Sequence, residues 1–173
     1  MESDTENLHF KSEPLGSKHN RAAFSCGDAD LDAYLKTQAN QERKKNLCAV
    51  FVLTPDKKTI TGFYTLSQYS VDIEEIPEAI SHKLTRYKQV PATLIGRLAR
   101  SIDYRGKGVG EKLLVDALRR HLDISREVGS WAVIVDAKDE ETAAFYRKCG
   151  FIDFPNTAKR LFLPTATIED MFA

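Results

Sequence analysis

The chain has few cysteines and none of them are paired. Its three, Cys26, Cys48 and Cys149, are odd in number and widely spaced. No C-x-x-C pair occurs, which excludes a zinc ribbon or a thioredoxin-type motif and points to a reducing compartment. Each thiol reads as a small buried hydrophobe. Histidine is also scarce. His9, His19, His82 and His121 form neither H-E-x-x-H nor a His-x-x-x-His pair, so a metal site has no framework. No run of about 18 apolar residues exists to span a membrane. The opening MESDTENLHF is acidic and polar, unlike a secretory signal. These absences together describe a cytoplasmic protein with no membrane and no metal. An excess of charge is missing as well: Lys and Arg number 25, and so do Asp and Glu. Binding to nucleic acid would therefore need a local patch of cations.

What remains is ordinary globular material. Hydrophobic residues make up 42% and charged residues 29% of 173. That length fits one domain over residues 1–173 and buries roughly 70% of the unfolded surface. Residues 1–7 are polar and read as a mobile tail, and Leu8 to Leu15 as a first strand. Asp28, after the turn Phe24-Ser25-Cys26-Gly27, is placed to cap a helix whose apolar face holds Leu31, Tyr34, Leu35 and Ala39. That helix ends among the cations Arg43, Lys44 and Lys45, which favour a helix C-terminus. Ala49 to Leu53 is an apolar strand. The turn Thr54 to Lys58 joins it to a second strand, Ile60 to Val71, as a hairpin. Residues 72–90 are polar, with Pro77 and one short helix. Ala92 to Ile102 is strand-like. Glu111 to Arg126 is a helix with Leu114, Leu118 and Leu122 in one stripe. Trp131 to Val135 is a strand, and Glu140 to Lys148 a short helix that stops at Gly150. Phe151 and Leu161 to Leu163 begin and end a last hairpin. The order is that of a mixed α/β sheet with helices packed on it.

Two segments carry chemistry. In the first, the strand containing Leu94-Ile95-Gly96-Arg97-Leu98-Ala99-Arg100 runs into Tyr104-Arg105-Gly106-Lys107-Gly108-Val109-Gly110 and then a long helix. Glycines let the backbone turn tightly and bare its N–H groups, which with the helix dipole suit a pyrophosphate. Arg105 and Lys107 add charge at the rim. No G-K-[ST] follows, so this is not a Walker A, and it is a poor dinucleotide fingerprint. A turn that uses glycine only for steric reasons remains the alternative. The second segment is Asp139-Glu140-Glu141-Thr142-Ala143-Ala144-Phe145-Tyr146-Arg147-Lys148-Cys149-Gly150-Phe151.

Arg105-x-x-Gly108-x-Gly110 matches the [QR]-x-x-G-x-[GA] motif of the GNAT superfamily of N-acetyltransferases, and Ala144 to Phe151 resembles that family's A-x-x-[FL]-Y-x-x-x-G-F signature. The two stand in the family's order, and the resemblance covers residues 8–164. It implies a GNAT-like α/β fold, a mixed and splayed central sheet with helices on both faces, and acetyl-CoA as cofactor. It implies that backbone groups at Leu98, Ala99 and Arg100 hold the pantetheine arm. Arg105, Gly106, Lys107, Gly108, Val109 and Gly110 would hold the pyrophosphate, with Phe145 and Lys148 near the rest of CoA. Asp139 stands where many relatives have Asn, so it lacks an amide donor towards CoA. Arg100 takes a position often filled by an aliphatic residue. Tyr146 is the implied catalytic acid: a phenol with a pKa of about 10 keeps its proton at neutral pH and can give it to a departing thiolate.

A finer resemblance rests on Phe24-Ser25-Cys26-Gly27-x-x-x-Leu31-x-x-Tyr34-Leu35, Gly62 to Ser67, Leu94 to Ala99 and Ala137-Lys138-Asp139-Glu140. These look like the branch that holds the acetyltransferase toxins of type II toxin–antitoxin pairs. That branch acetylates the α-amine of aminoacyl-tRNA and is neutralised by a ribbon-helix-helix antitoxin. It leaves a homodimer open as a further partner. No general base stands out; Asp72, Glu74, Glu75 and the histidines qualify by type only. An α-amine with a pKa near 8 is about 10% neutral at pH 7, against about 0.04% for a lysine side chain, so an α-amine acceptor can do without a base. Residues 79–102 hold five cations, Lys83, Arg86, Lys88, Arg97 and Arg100, and no acid, and Lys36, Arg43, Lys44 and Lys45 form a second group. Arg86, Lys88, Arg97, Tyr64 and Ser67 are the expected substrate contacts. Competing expectations are a small-molecule amine or protein N-terminus as acceptor, and a non-catalytic CoA-binding or protein-binding module.

Overall fold

The computed structural model describes residues 12–84 and 86–173. The expected tail and residues 8–11 of the expected first strand lie outside the described residues. The described strands are β1 (Ser12–Pro14), β2 (Ala49–Leu53), β3 (Gly62–Asp72), β4 (Gln89–Arg100), β5 (Ala132–Asp136), β6 (Ile152–Asp153) and β7 (Arg160–Pro164). The helices are α1 (Ala29–Thr37), α2 (Ala39–Lys44), α3 (Glu78–Ser81), α4 (Val109–Glu127), α5 (Glu140–Lys148) and α6 (Thr165–Met171). The strands form one sheet in the order β1-β2-β3-β4-β5-β7-β6. It is mixed: β2 and β3 pair antiparallel from Ala49↔Leu66 to Leu53↔Gly62, and β4 and β5 run parallel from Thr93↔Val133 to Ile95↔Val135. Residues 96–100 carry β4 beyond the last of these pairs. This is the α/β class the sequence leads one to expect.

The chain divides into two compact units, one of residues up to Ser67 with Gly96–Ala117, the other of Gln68–Ile95 with Leu118–Ala173. In the first unit, the Asp28 carboxylate caps α1 by accepting from the amides of Asp30 and Leu31 at 3.0 and 3.2 Å. The helical face then buries Tyr34 and Leu35 among Phe24, Val50, Val52, Ile60, Phe63 and Ala99. The expected helix to Lys45 breaks at Gln38, whose φ of −114° opens the turn between α1 and α2. The Thr37 hydroxyl beside it donates to the Ala33 carbonyl at 2.7 Å, a local bond that bends helices. Gly62 lets α4 approach β3: a Cβ there would stand 2.7 Å from Leu113 Cδ1.

The second unit gathers Val71, Ile76, Val90, Ala92, Ala132, Ile134, Phe154 and Phe162. Its C-terminal α6 follows a segment that the sequence pattern assigned only to a hairpin. One residue of α6, Ile168, is buried, and Pro164 before it offers no side-chain cap. A helix that short, with one apolar anchor, leaves no periodicity to read. Among the described residues no helix is long and apolar enough to cross a membrane.

Candidate active site

The turn between β4 and α4 belongs to the first unit. The Ser101 amide donates to the Thr61 carbonyl and the Ile102 amide to the Ser25 carbonyl, both at 2.8 Å, which ties the end of β4 down. A single 3-10 turn, Ile102–Tyr104, follows, and the chain then passes through Gly106 at φ +74° and Gly108 at φ +73° before entering α4. Both values lie where an L side chain is strained. A Cβ built at either glycine would meet nothing within 4 Å. Crowding is therefore not what requires glycine here; the backbone angle is, and the space before the turn is open. α4 starts two residues earlier than the apolar stripe predicts, at Val109, so Gly110 lies inside its first turn. The first amides of a helix have no partner within it, and here they follow a turn whose Arg105, Gly106, Lys107 and Gly108 are exposed. The Lys107 ammonium lies 5.3 Å from the centre of the Tyr104 ring. Residues of this kind fit a pyrophosphate: open space, bare amides, a helix N-terminus and two cations. Val109 is buried and anchors the turn, while Leu98 and Arg100 are half-buried and Ala99 is buried.

Tyr146 lies in the second unit, on α5. It is 5% exposed, with ring centres of Phe145 and Phe151 at 5.3 and 5.2 Å, both edge-on. Burial pushes its phenol above the ordinary value, with the neighbouring Cys149 adding to the rise. The hydroxyl is thus held protonated, and among the described residues no protein group takes its hydrogen bond. Asp139 has a structural task in the same helix. Its carboxylate accepts from the Thr142 amide at 2.7 Å, caps α5 and is held below the usual carboxylate range by the Thr142 bonds. Arg147 is committed too: its guanidinium bridges both Asp153 oxygens at 2.8 and 2.9 Å. Phe145 is half-buried and Lys148 exposed.

The expected acceptor contacts fare differently from one another. Arg86 and Lys88 are exposed and Ser67 is half-buried. Tyr64 is wholly buried in the first unit and its hydroxyl donates to Asp116, so it has no surface to offer an acceptor. It sits in the stretch Gly62–Leu66, buried throughout, which β-strand alternation does not foretell. Arg97 is half-buried with its guanidinium on the Tyr34 ring. Of the residues weighed as bases, His121, His19 and Asp72 are engaged in structure, while Glu74 is exposed. His121 is wholly buried with both ring nitrogens bonded to threonine hydroxyls, and His19 bonds Glu13 through Nε2 at 2.6 Å. Asp72 Oδ1 accepts from the Gln89 side-chain Nε2 at 2.8 Å. His9 lies outside the described residues.

An open glycine turn before a helix, of a kind that suits an anion, and a buried phenol that keeps its proton are features that a CoA-dependent acyltransferase uses. Residues 46–153 match the model of the acetyltransferase (GNAT) domain. The chain is 34% identical over 168 residues to a probable toxin TacT of Sinorhizobium fredii, covering 92% of this chain and 93% of that one. It is 31% identical over 141 residues to a tRNA-acetylating toxin of Mycobacterium tuberculosis, covering 82% and 83%. Among solved structures, a tyrosine-to-phenylalanine mutant of KacT superposes with a TM-score of 0.88 at 27% identity, covering 94% of this chain and 98% of that one. AtaT complexed with acetyl-methionyl-tRNAfMet does so with 0.88 at 26%, covering 94% and 99%, and AtaTR bound with acetyl-CoA with 0.83 at 27%, covering 94% and 98%. The chain belongs to the GNAT family of acetyltransferases, whose acetyl donor is acetyl-CoA.

Proposed function

We propose that this protein transfers acetyl from acetyl-CoA to the α-amine of an aminoacyl-tRNA in the cytoplasm, and that a ribbon-helix-helix antitoxin holds it in check. The observation that carries this reading is likeness along almost the whole chain, at 31–34% identity, to proteins described as a toxin and a tRNA-acetylating toxin. The intact turn and Tyr146 speak for catalysis over a degenerate binding module. Acetyl-CoA supplies the activated thioester when bound. The amides of Gly106, Gly108, Val109 and Gly110 would receive its pyrophosphate, with the side chains of Arg105 and Lys107 neutralising charge, while the Arg105 and Lys107 amides close the turn on Ile102 and Tyr104. Backbone groups of Leu98, Ala99 and Arg100, on the part of β4 beyond its last pair with β5, would take the pantetheine arm. Phe145 and Lys148 would line the remainder. Tyr146 would hold a proton for the departing sulfur. Asp139 acts through α5, which it caps, more than through any direct contact with CoA. An α-amine acceptor suits a site with no evident general base, since it arrives partly neutral.

The test is to incubate the protein with labelled acetyl-CoA and a pool of charged tRNAs. Label should appear as an N-acetyl-aminoacyl ester, with one free thiol released per transfer. Label on a polyamine or a peptide but on no tRNA would move the acceptor to those classes. No thiol release with any acceptor would leave a binding module.

A further inference from the structure

Arg97 is held in an unusual way for a cation. Its guanidinium carbon lies 3.6 Å from the centre of the Tyr34 ring. That ring is itself stacked with Phe63, at 6.3 Å between centres and 18° between planes. Tyr34 is 3% exposed and Phe63 wholly buried, so the platform is rigid core. The ring is also fixed at its far end: the Tyr34 hydroxyl donates to Glu42 Oε2 at 2.7 Å and lies 3.5 Å from Cys48 Sγ. The backbone under Arg97 is pinned, its amide donating to Thr65 Oγ1 at 3.0 Å. Yet among the described residues no carboxylate or carbonyl accepts from the guanidinium itself.

A planar cation has thus been given an orientation on the Tyr34 ring and, among the described residues, no hydrogen-bond acceptor. Its N–H groups form a fork that matches two oxygens of a phosphate. Stacking on an aromatic face removes much of the rotamer freedom that such a contact would otherwise cost. We propose that Arg97 receives a backbone phosphate of the RNA acceptor, and that Tyr34, anchored through Glu42, is the positioning residue that aims it. This rests on the RNA-acceptor reading above. The pyrophosphate of acetyl-CoA carries the same chemistry, but the glycine turn from Arg105 to Gly110 already offers it a cradle of amides and two cations.

Steady-state kinetics with charged tRNA decide the matter, alongside calorimetry with acetyl-CoA. Arg97→Ala should raise KM for charged tRNA about tenfold, as expected for loss of one charged hydrogen-bonding contact, with kcat changed by less than about threefold. The salt slope of tRNA binding should fall by about one. Tyr34→Leu should reproduce most of the KM rise, and the double variant should be no worse than Arg97→Ala alone, because both remove one device. Tyr34→Phe keeps the ring and the core but frees it from Glu42. It should raise KM by about twofold to threefold, and serves if the leucine variant does not fold. Additive effects, or an unchanged KM in Arg97→Ala, would overturn the proposal while transfer to tRNA stands. Weakened acetyl-CoA affinity in Arg97→Ala would reassign the contact to the CoA phosphates. A wild-type protein that labels no charged tRNA would remove the RNA acceptor itself, and this assignment with it.

Discussion

Burial keeps the Tyr146 phenol neutral because a phenolate between Phe145 and Phe151 would lose its water and gain nothing in return. The same burial means that removing the hydroxyl leaves the ring packing intact. Tyr146→Phe should therefore fold and bind acetyl-CoA about as well as the wild type, while kcat falls by about 10² to 10⁴, the usual cost of a lost general acid. A fall of less than about threefold in single-turnover thiol release would assign the proton to water or another group. The place of Tyr146 on a short helix was legible in the sequence because its neighbours, from Ala144 to Phe151, form a contiguous signature. Asp139 was half legible. Its place before the helix was plain, but only the bond to the Thr142 amide reveals that its carboxylate is used for capping. Tyr34 as the seat of Arg97 was not legible at all, since the pair meets only after α1 and β4 have folded onto one core.

Elements with strong periodicity or clear punctuation could be read from the sequence. The α4 stripe of Leu114, Leu118 and Leu122 is buried as predicted, joined by Leu113 and Ala117, and the Gly150 stop of α5 sits at φ +99°. Elements set by single local bonds could not, such as the break at Gln38 or the short α6. The start of α4 makes a sharp prediction. Gly108→Glu would force a side chain into φ +73° and place a carboxylate before bare amides. Calorimetry should show acetyl-CoA affinity lost by tenfold or more, on the order of the charged hydrogen bonds removed. Unchanged affinity in a folded variant would move the pyrophosphate elsewhere. The start of α6 makes another. His121 Nδ1 meets Thr93 Oγ1 at 2.9 Å and Nε2 meets Thr165 Oγ1 at 2.8 Å, while the Thr165 hydroxyl donates to the Ser130 carbonyl at 2.6 Å. This network ties α6 to β4. Burial lowers the imidazole from 6.5 to about 4. Between those values the unfolded chain binds a proton that the folded chain refuses. Stability from this group is whole above about pH 6.5 and drains as pH falls towards 4, by roughly 3 kcal/mol in all. Thermal melts of wild type and His121→Gln from pH 7 to 4 should diverge in slope across that window. Parallel slopes would show that the ring titrates normally.

At the scale of the molecule, a net charge of zero conceals an uneven distribution. Lys83, Arg86 and Lys88 are exposed on a stretch without acids, and Lys36, Lys44 and Lys45 are exposed on and beside α1 and α2. Composition alone argued against a nucleic-acid partner; the local runs argued for one. The division into two units was not legible, because its boundaries cut through β3, β4 and α4 and leave no linker or change of composition to read. If the exposed cations guide an RNA acceptor, each phosphate they neutralise releases counterions, and affinity must fall with salt in proportion to their number. Replacing Arg86 and Lys88 together by Ala should lower the salt slope of charged-tRNA binding by about two, one for each contact. Acetyl-CoA affinity should change little, because its phosphates are served by the turn at 105–110. Filter binding between about 50 and 200 mM salt measures the slope over the range where the effect is large. An unchanged slope would make these two residues solvated surface charge and leave tRNA recognition to Arg97 and the cations of α1 and α2.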